Sequence, residues 1–194
     1  MEEEELDSIK LKPFLETAHI WAKSSSCCRL HVGAVIFNIK TKRLLSIGYN
    51  GTMTGKVHCN MLFECYANEN RFYVNGKINK FLDDTGINTN YMWHRVKEHK
   101  FKELHHRFSE LYEVHAEQNA IYNLIKTGAS YDTDNLAIIS TVEPCAQCAK
   151  AIAALGIKYV FYEEEYDRSI ADIPEYFSIC DIICRQVQSD GKNL

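Results

Sequence analysis

The sequence has no long apolar run. Nowhere do apolar residues approach the ~18 in a row that cross a bilayer, which excludes a membrane-spanning helix. No secretory leader is expected either: Met1 is followed by glutamates at positions 2 to 5, the reverse of the basic start of a secretory signal. The expected compartment is therefore the cytosol, or the host cytoplasm for a viral protein. Positive charge is not in surplus, since 22 Lys and Arg against 26 Asp and Glu give a net charge of −4. That leaves no overall basic surface to hold phosphate backbones non-specifically, although a small anionic substrate needs only a local basic pocket. Repeats and low-complexity tracts are absent apart from the acidic start, which reads as a solvated tail.

What is present is enough apolar residue, 46% of 194, to bury one substantial core, and the expectation is a single domain over residues 1–194. Eight cysteines is a high count. In a reducing compartment, closely spaced cysteines accompanied by histidines read as metal ligands, whereas Cys180 and Cys184, within an apolar stretch, read as buried apolar residues.

Helical spacing over about Ser8 to Lys23 puts Leu11, Phe14, Leu15, Ala18, Trp21 and Ala22 on one side. Val32 to Phe37 and Arg43 to Tyr49, joined by a polar turn, predict a hairpin. The segment from about 52 to 113 is polar and weakly periodic and reads as an insertion or elaborated loop, a type of segment usually functional or metal-stapled. Regular alternation then resumes: helix over Ala116 to Lys126 with Gly128 as its stop, strand over Asn135 to Thr141, helix over Cys145 to Leu155 and strand over Lys158 to Tyr162. Ile179 to Val187 is ambiguous and would form a last strand. The pattern predicts a three-layer α/β domain with parallel pairing in its second half.

The chemistry-bearing pattern is His115-Ala116-Glu117 followed, after 26 residues, by Pro144-Cys145-Ala146-Gln147-Cys148. One imidazole and two thiolates make a three-ligand zinc set whose fourth position stays open to water. Cys145 and Cys148, three apart at a helix start, face the same way, and the helix dipole favours their thiolate forms. Pro144 loses no needed hydrogen bond there. Glu117 sits close enough to handle the protons of a zinc-activated water, whose pKa falls from about 15.7 to about 7. In zinc deaminases this constellation directs water at the ring carbon bearing a nucleobase amine, while the glutamate protonates the neighbouring ring nitrogen and then the leaving ammonia. A CxxC pair alone is equally a structural zinc knuckle or a redox pair, and neither of those accounts for His115 and Glu117.

Four motifs make the chain resemble the cytidine/deoxycytidylate deaminase family, and within it the phage-type deoxycytidylate (dCMP) deaminases. They are Val32-Gly33-Ala34-Val35-Ile36, Gly48-Tyr49-Asn50-Gly51, His115-Ala116-Glu117-Gln118-Asn119-Ala120-Ile121 and Pro144-Cys145-x-x-Cys148-Ala149-Lys150. The resemblance runs from the first helix to about Arg168. It implies a cytidine-deaminase-like fold, with a central mixed sheet of about five strands, helices on both faces and a long insertion. The implied activity is hydrolysis of dCMP to dUMP and ammonia, supplying dUMP for thymidylate synthesis. The implied site has Glu117 as proton shuttle, His115, Cys145 and Cys148 on the catalytic zinc, and substrate contacts at Arg29, Asn50, Ala116, Thr141, Tyr166 and Arg168. Asn50 would meet the deoxyribose and Arg29 the 5′-phosphate, a role suited to a planar guanidinium, with Arg168 a second phosphate candidate. The alternatives are that Arg29 and Arg168 are solvated surface charges and Tyr166 is core.

Phage-type members carry a second zinc, and position matches it to Cys27, Cys59, His105 and Glu113, with Cys28 and His106 as substitutes. Without such an ion, the reading is that Cys27 and Cys28 are buried near the first helix and that His94 to His106 is an exposed basic helix. The resemblance further implies a homo-oligomer, a hexamer in relatives, and feedback by dCTP and dTTP. Two departures bear on that feedback: Thr52-Met53-Thr54-Gly55 lacks a proline common in the family, and Lys126 stands where a phage-type relative has arginine. Competing readings are a deaminase of dCTP or a 5-substituted dCMP, a tRNA or single-stranded DNA base deaminase, and a scaffold that keeps zinc only for folding. The nucleic-acid reading needs a basic, aromatic channel, for which Trp93 to Arg107 is the one candidate stretch.

Overall fold

The computed structural model describes residues 9–82, 86–87, 90, 92–128, 130–166 and 172–189. Contacts divide the chain into two compact units, one holding the chain up to Ser25, Val32–Asn50 and His115 onward, the other Ser26–His31 and Gly51–Val114.

The first unit is built on a five-stranded mixed sheet. Its first two strands are β1 (Gly33–Asn38) and β2 (Arg43–Tyr49), the expected antiparallel hairpin. In the second unit lie β3 (Gly51–Thr52), β4 (Phe63–Tyr66), β5 (Arg71–Asn75), β6 (Trp93–Val96) and β7 (Glu113–Val114). The first unit resumes with β8 (Leu136–Val142), β9 (Tyr159–Glu164) and β10 (Ile183–Gln186), giving the sheet order β10-β9-β8-β1-β2. β1 pairs antiparallel with β8, while β8–β9 and β9–β10 are parallel, as the alternation of the second half requires.

Helix α1 (Lys12–Ala22) carries Pro13 in its first turn and buries Phe14, Leu15, Ala18 and Ala22 of the stripe its spacing foretold, whereas Trp21, expected on the same side, is exposed. It packs with Val35, Phe37, Ala137, Ile139 and Phe161, the odd-numbered face of the sheet. Approach there is close: a Cβ on Gly33 would stand 1.9 Å from the Ala18 carbonyl oxygen, so backbone meets backbone. Gly33→Ala should therefore lower stability by about 3 kcal/mol; urea unfolding checks it, and an unchanged midpoint would refute the contact.

Helix α2 (Glu98–Tyr112) belongs to the second unit; α3 (Ala116–Thr127) and α4 (Ala146–Leu155) follow in the first. α3 stops at Gly128 with φ +62° and α4 at Gly156 with φ +84°, left-handed positions where a side chain would strain the backbone. Before β10 the chain makes a short helix, α5 (Ile173–Ile179). Its start is marked by Asp172, which accepts from the Glu175 N–H, and by a proline in its first turn. The last strand thus begins at Ile183 rather than Ile179. Among the described residues no helix is long and apolar enough to cross a membrane.

The stretch read as an insertion or elaborated loop over about 52–113 has regular structure and a core of its own in the second unit. β4, β5 and β6 form an antiparallel three-stranded sheet, and β3 pairs with β7. Cys27, Cys59, Leu62, Phe63, Phe72, Val74, Ile78, Phe101, Leu104 and Phe108 make a core of their own. α2 buries Phe101, Leu104, His105 and Phe108, an i, i+3, i+4, i+7 stripe. The stretch from His94 to His106 is thus part strand and part half-buried helix, not a uniformly exposed basic helix.

Candidate metal centre and active site

Two helix starts meet in the first unit. His115 is the N-cap of α3 and Cys145 the N-cap of α4, with Cys148 in that helix's first turn. His115 Nδ1 lies 3.4 Å from Cys145 Sγ and 3.4 Å from Cys148 Sγ. A tetrahedral zinc, with bonds of about 2.0 Å to nitrogen and 2.3 Å to sulfur, holds such neighbours about 3.6 Å apart, so the donor set fits the ion in chemistry and spacing. Among the described residues three side chains, not four, make up this group.

The electrostatics of the thiols suit a metal. The hydrogen bond from Cys148 brings the Cys145 thiol down to about 4, helped by His115, whereas Cys148, on the donating side of that bond and buried beside Glu117, is pushed well above the usual thiol range. One thiolate and one thiol therefore share a proton that a metal would displace.

Glu117 is buried, and that burial pushes its carboxyl up to about 7, against the lowering effects of His115 and its own N–H. Because the folded state holds this proton more tightly than the unfolded chain, folding loses stability as pH rises from the ordinary 4.5 to about 7. Above that window Glu117→Gln should stabilise the metal-free protein by up to about 3 kcal/mol. Thermal melts of chelator-treated protein at pH 5 and pH 8 would show it; a gain equal at both values would contradict the burial argument.

The remaining expected substrate residues are placed as follows. Asn50, at the end of β2 and largely buried, accepts the Val32 N–H on Oδ1 at 2.8 Å. Ala116 is fully buried, and Thr141, also buried, accepts the Gly33 N–H on Oγ1 at 3.2 Å. The Tyr166 N–H donates to Glu143 Oε2 at 3.4 Å, a link between the loop after β9 and the residue before Pro144 that sequence reading passed over. Its one signal was a carboxylate directly ahead of the Pro-Cys pair. Arg29 belongs to the second unit, where its charge, after the hydrogen bond from Lys102, helps hold Glu98 ionised. Arg168 lies outside the described residues.

The second unit brings together Cys27, Cys59 and His105. Nε2 of His105 is 3.5 Å from Cys27 Sγ and 3.4 Å from Cys59 Sγ, again the spacing of zinc ligands. Phe63 and Phe101 pack on the imidazole and hold it. Glu113 is not within this tight donor group, yet its Oε1 is buried without a hydrogen-bond partner and its charge raises both thiols. A hydrogen bond with Cys59, then burial, lifts Cys27. Cys59 is lowered by Cys27 but lifted more by its hydrogen bond with Cys28 and by burial. Cys28 Sγ stands 3.8 Å from Cys59 Sγ and its N–H points to the same sulfur. His106 does not substitute for His105: it is exposed and pairs with Glu110. A buried carboxylate oxygen without a partner, whose charge is felt by both thiols, is what a nearby cation would satisfy.

Residues 8–164 match the family model described as the cytidine and deoxycytidylate deaminase zinc-binding region. The chain is 33% identical over 166 residues to the deoxycytidylate deaminase of Enterobacteria phage T2, covering 83% of each chain. To that of Enterobacteria phage T4 it is 34% identical, covering 83% of this chain and 81% of the other. The dCMP deaminase of cyanophage S-TIM5, solved with dCMP and dUMP, shares its fold with a TM-score of 0.57 at 24% identity, over 96% of this chain and 99% of that one.

Proposed function

From the chain's membership of the cytidine and deoxycytidylate deaminase zinc-binding family, we propose that it hydrolyses the exocyclic amine of dCMP, giving dUMP and ammonia. The observation that carries this is the His115 Nδ1 atom, 3.4 Å from each of two sulfurs, with a buried carboxyl beside them. The phage relatives named deoxycytidylate deaminase support the choice of substrate.

His115, Cys145 and Cys148 would hold the ion. Zinc bound there supplies Lewis acidity to the site. Glu117 does the proton work: it takes a proton from the attacking water, delivers it to N3 of the cytosine ring and carries the second to the departing amine. A carboxyl near 7 both accepts and releases protons at neutral pH. Asn50, its carboxamide oriented by the Val32 N–H, meets the deoxyribose. Cys27, Cys59 and His105, with Glu113 or Cys28 completing the set, would hold a second zinc that fixes the second unit.

The nucleic-acid reading finds less support. Lys100 pairs with Glu103 and Lys102 with Glu98, so much of the charge of α2 is neutralised within the helix.

The test is ammonia release from cytidine, CMP, deoxycytidine, dCMP and dCTP, each with and without dCTP or dTTP as effector. Preference for dCMP is expected. Release from none of the five, with deamination of a single-stranded oligonucleotide instead, would overturn the proposal.

A further inference from the structure

β2 is an edge strand, and the Asn50 N–H that points back to the Val32 carbonyl shows that from Ser46 to Asn50, beyond the register shift opposite Ile36 and Phe37, the even-numbered residues turn their backbone hydrogen bonds toward β1. The odd-numbered carbonyls therefore turn outward. Two of them do not go to water. Asn119 Nδ2 donates to the Tyr49 carbonyl at 2.8 Å and Asn123 Nδ2 to the Ile47 carbonyl at 3.0 Å.

The spacing makes this a ruler. Residues four apart on a helix lie on one face, about 6 Å apart along the axis, and carbonyls two apart on a strand repeat every ~6.8 Å. Asparagines at i and i+4 thus match the outward carbonyls at j and j−2 together in one axial register; sliding the helix by a turn, about 5.4 Å, leaves at most one of the two bonds. Two further contacts agree with that register. Ser46 Oγ donates to the Ala120 carbonyl at 2.6 Å. Gly48, between the two carbonyls, lets the helix lie flat on the strand, since a Cβ there would be 2.1 Å from the Ala116 oxygen.

Exposed carbonyls on an edge strand are satisfied by water without any side chain, so stability alone does not call for the two asparagines. What they determine is where α3 stands along β2, and the first turn of α3 carries His115 and Glu117. We propose that Asn119 and Asn123 are positioning residues that set the axial register of α3 on β2 and so the reach of Glu117 to the reacting atoms. The inference rests on the proposed reading of His115 and Glu117 as the deamination site.

The test compares Asn119→Ala, Asn123→Ala and the double variant with the wild type for kcat and KM on dCMP, zinc content and melting temperature. Each single variant retains one clamp and is expected to lose kcat less than threefold. The double variant should lose at least tenfold, with KM within twofold and zinc per chain unchanged. A double variant with kcat within twofold of wild type overturns the proposal even if its melting temperature falls, and so does a rise confined to KM. Should the double variant not fold, Asn119→Asp decides: it keeps the volume but sets acceptor against acceptor, so it pushes on the register where Asn119→Ala merely releases it, and a kcat no lower than that of Asn119→Ala would overturn the inference. Wild-type protein inactive on dCMP marks the failure of the functional reading, and the inference then falls with it.

Discussion

Exchange of Glu117 for Gln is expected to remove turnover while leaving the protein folded and its zinc in place. The amide keeps the shape of the carboxyl and can still accept a hydrogen bond, but it cannot take a proton from water or pass one to N3. General acid–base catalysis typically contributes 10²–10⁴-fold, and in the proposed mechanism one group serves both proton transfers, so a fall in kcat of about 10⁴-fold is expected. His115, Cys145 and Cys148 are untouched, and the buried position no longer carries an ionisable group. The decisive measurement is kcat with dCMP alongside zinc per chain and a melting curve. Activity equal to wild type in the zinc-loaded variant would undo the mechanism, whereas loss of zinc would recast Glu117 as a contributor to metal holding.

The second large effect lies in the other unit. Cys59 is fully buried and central to its cluster, 3.4 Å from His105 Nε2 and 3.8 Å from Cys28 Sγ. An ion held there joins Cys59 to a position 46 residues away and Cys27 to one 78 residues away, a cross-link that closes long loops. Cys59→Ser replaces a thiolate by a hydroxyl that does not ionise. Wild-type protein is expected to carry two zinc ions per chain and the variant one, with faster proteolysis between residues 51 and 114. Because Cys27 and Cys59 are both held protonated without metal, zinc uptake at this site releases protons and should strengthen as pH rises. Two zinc ions in the variant, or one in freshly purified wild type, would count against the second site.

Much of this was legible in the sequence because it depends on local pattern. The hairpin, α3, α4 and the parallel strands follow from apolar periodicity with glycine stops, and the spacing of His115, Glu117, Cys145 and Cys148 encodes their meeting at two helix starts. The insertion was less legible. Its strands are two to five residues long, and in α2 the stripe of Phe101, Leu104 and Phe108 is interleaved with Lys, His and Glu, which read as a charged surface. α5 was hidden because its cap and proline fall in a stretch too short for a full apolar period. Bonds between side chain and distant backbone, such as Asn119 to Tyr49 or Glu143 to Tyr166, leave no periodic trace, since neither partner's identity specifies the other's place in the fold.

The short ladder at the base of the second unit has its own consequence for chain length. Gly51 opposite Val114 and Thr52 opposite Glu113 act as a drawstring, bringing the ends of the excursion side by side. A loop already cinched at its mouth loses little when lengthened, about 0.6 kcal/mol of closure entropy for each doubling. Material can accordingly be added to or trimmed from this excursion in steps while its two exits stay one ladder rung apart.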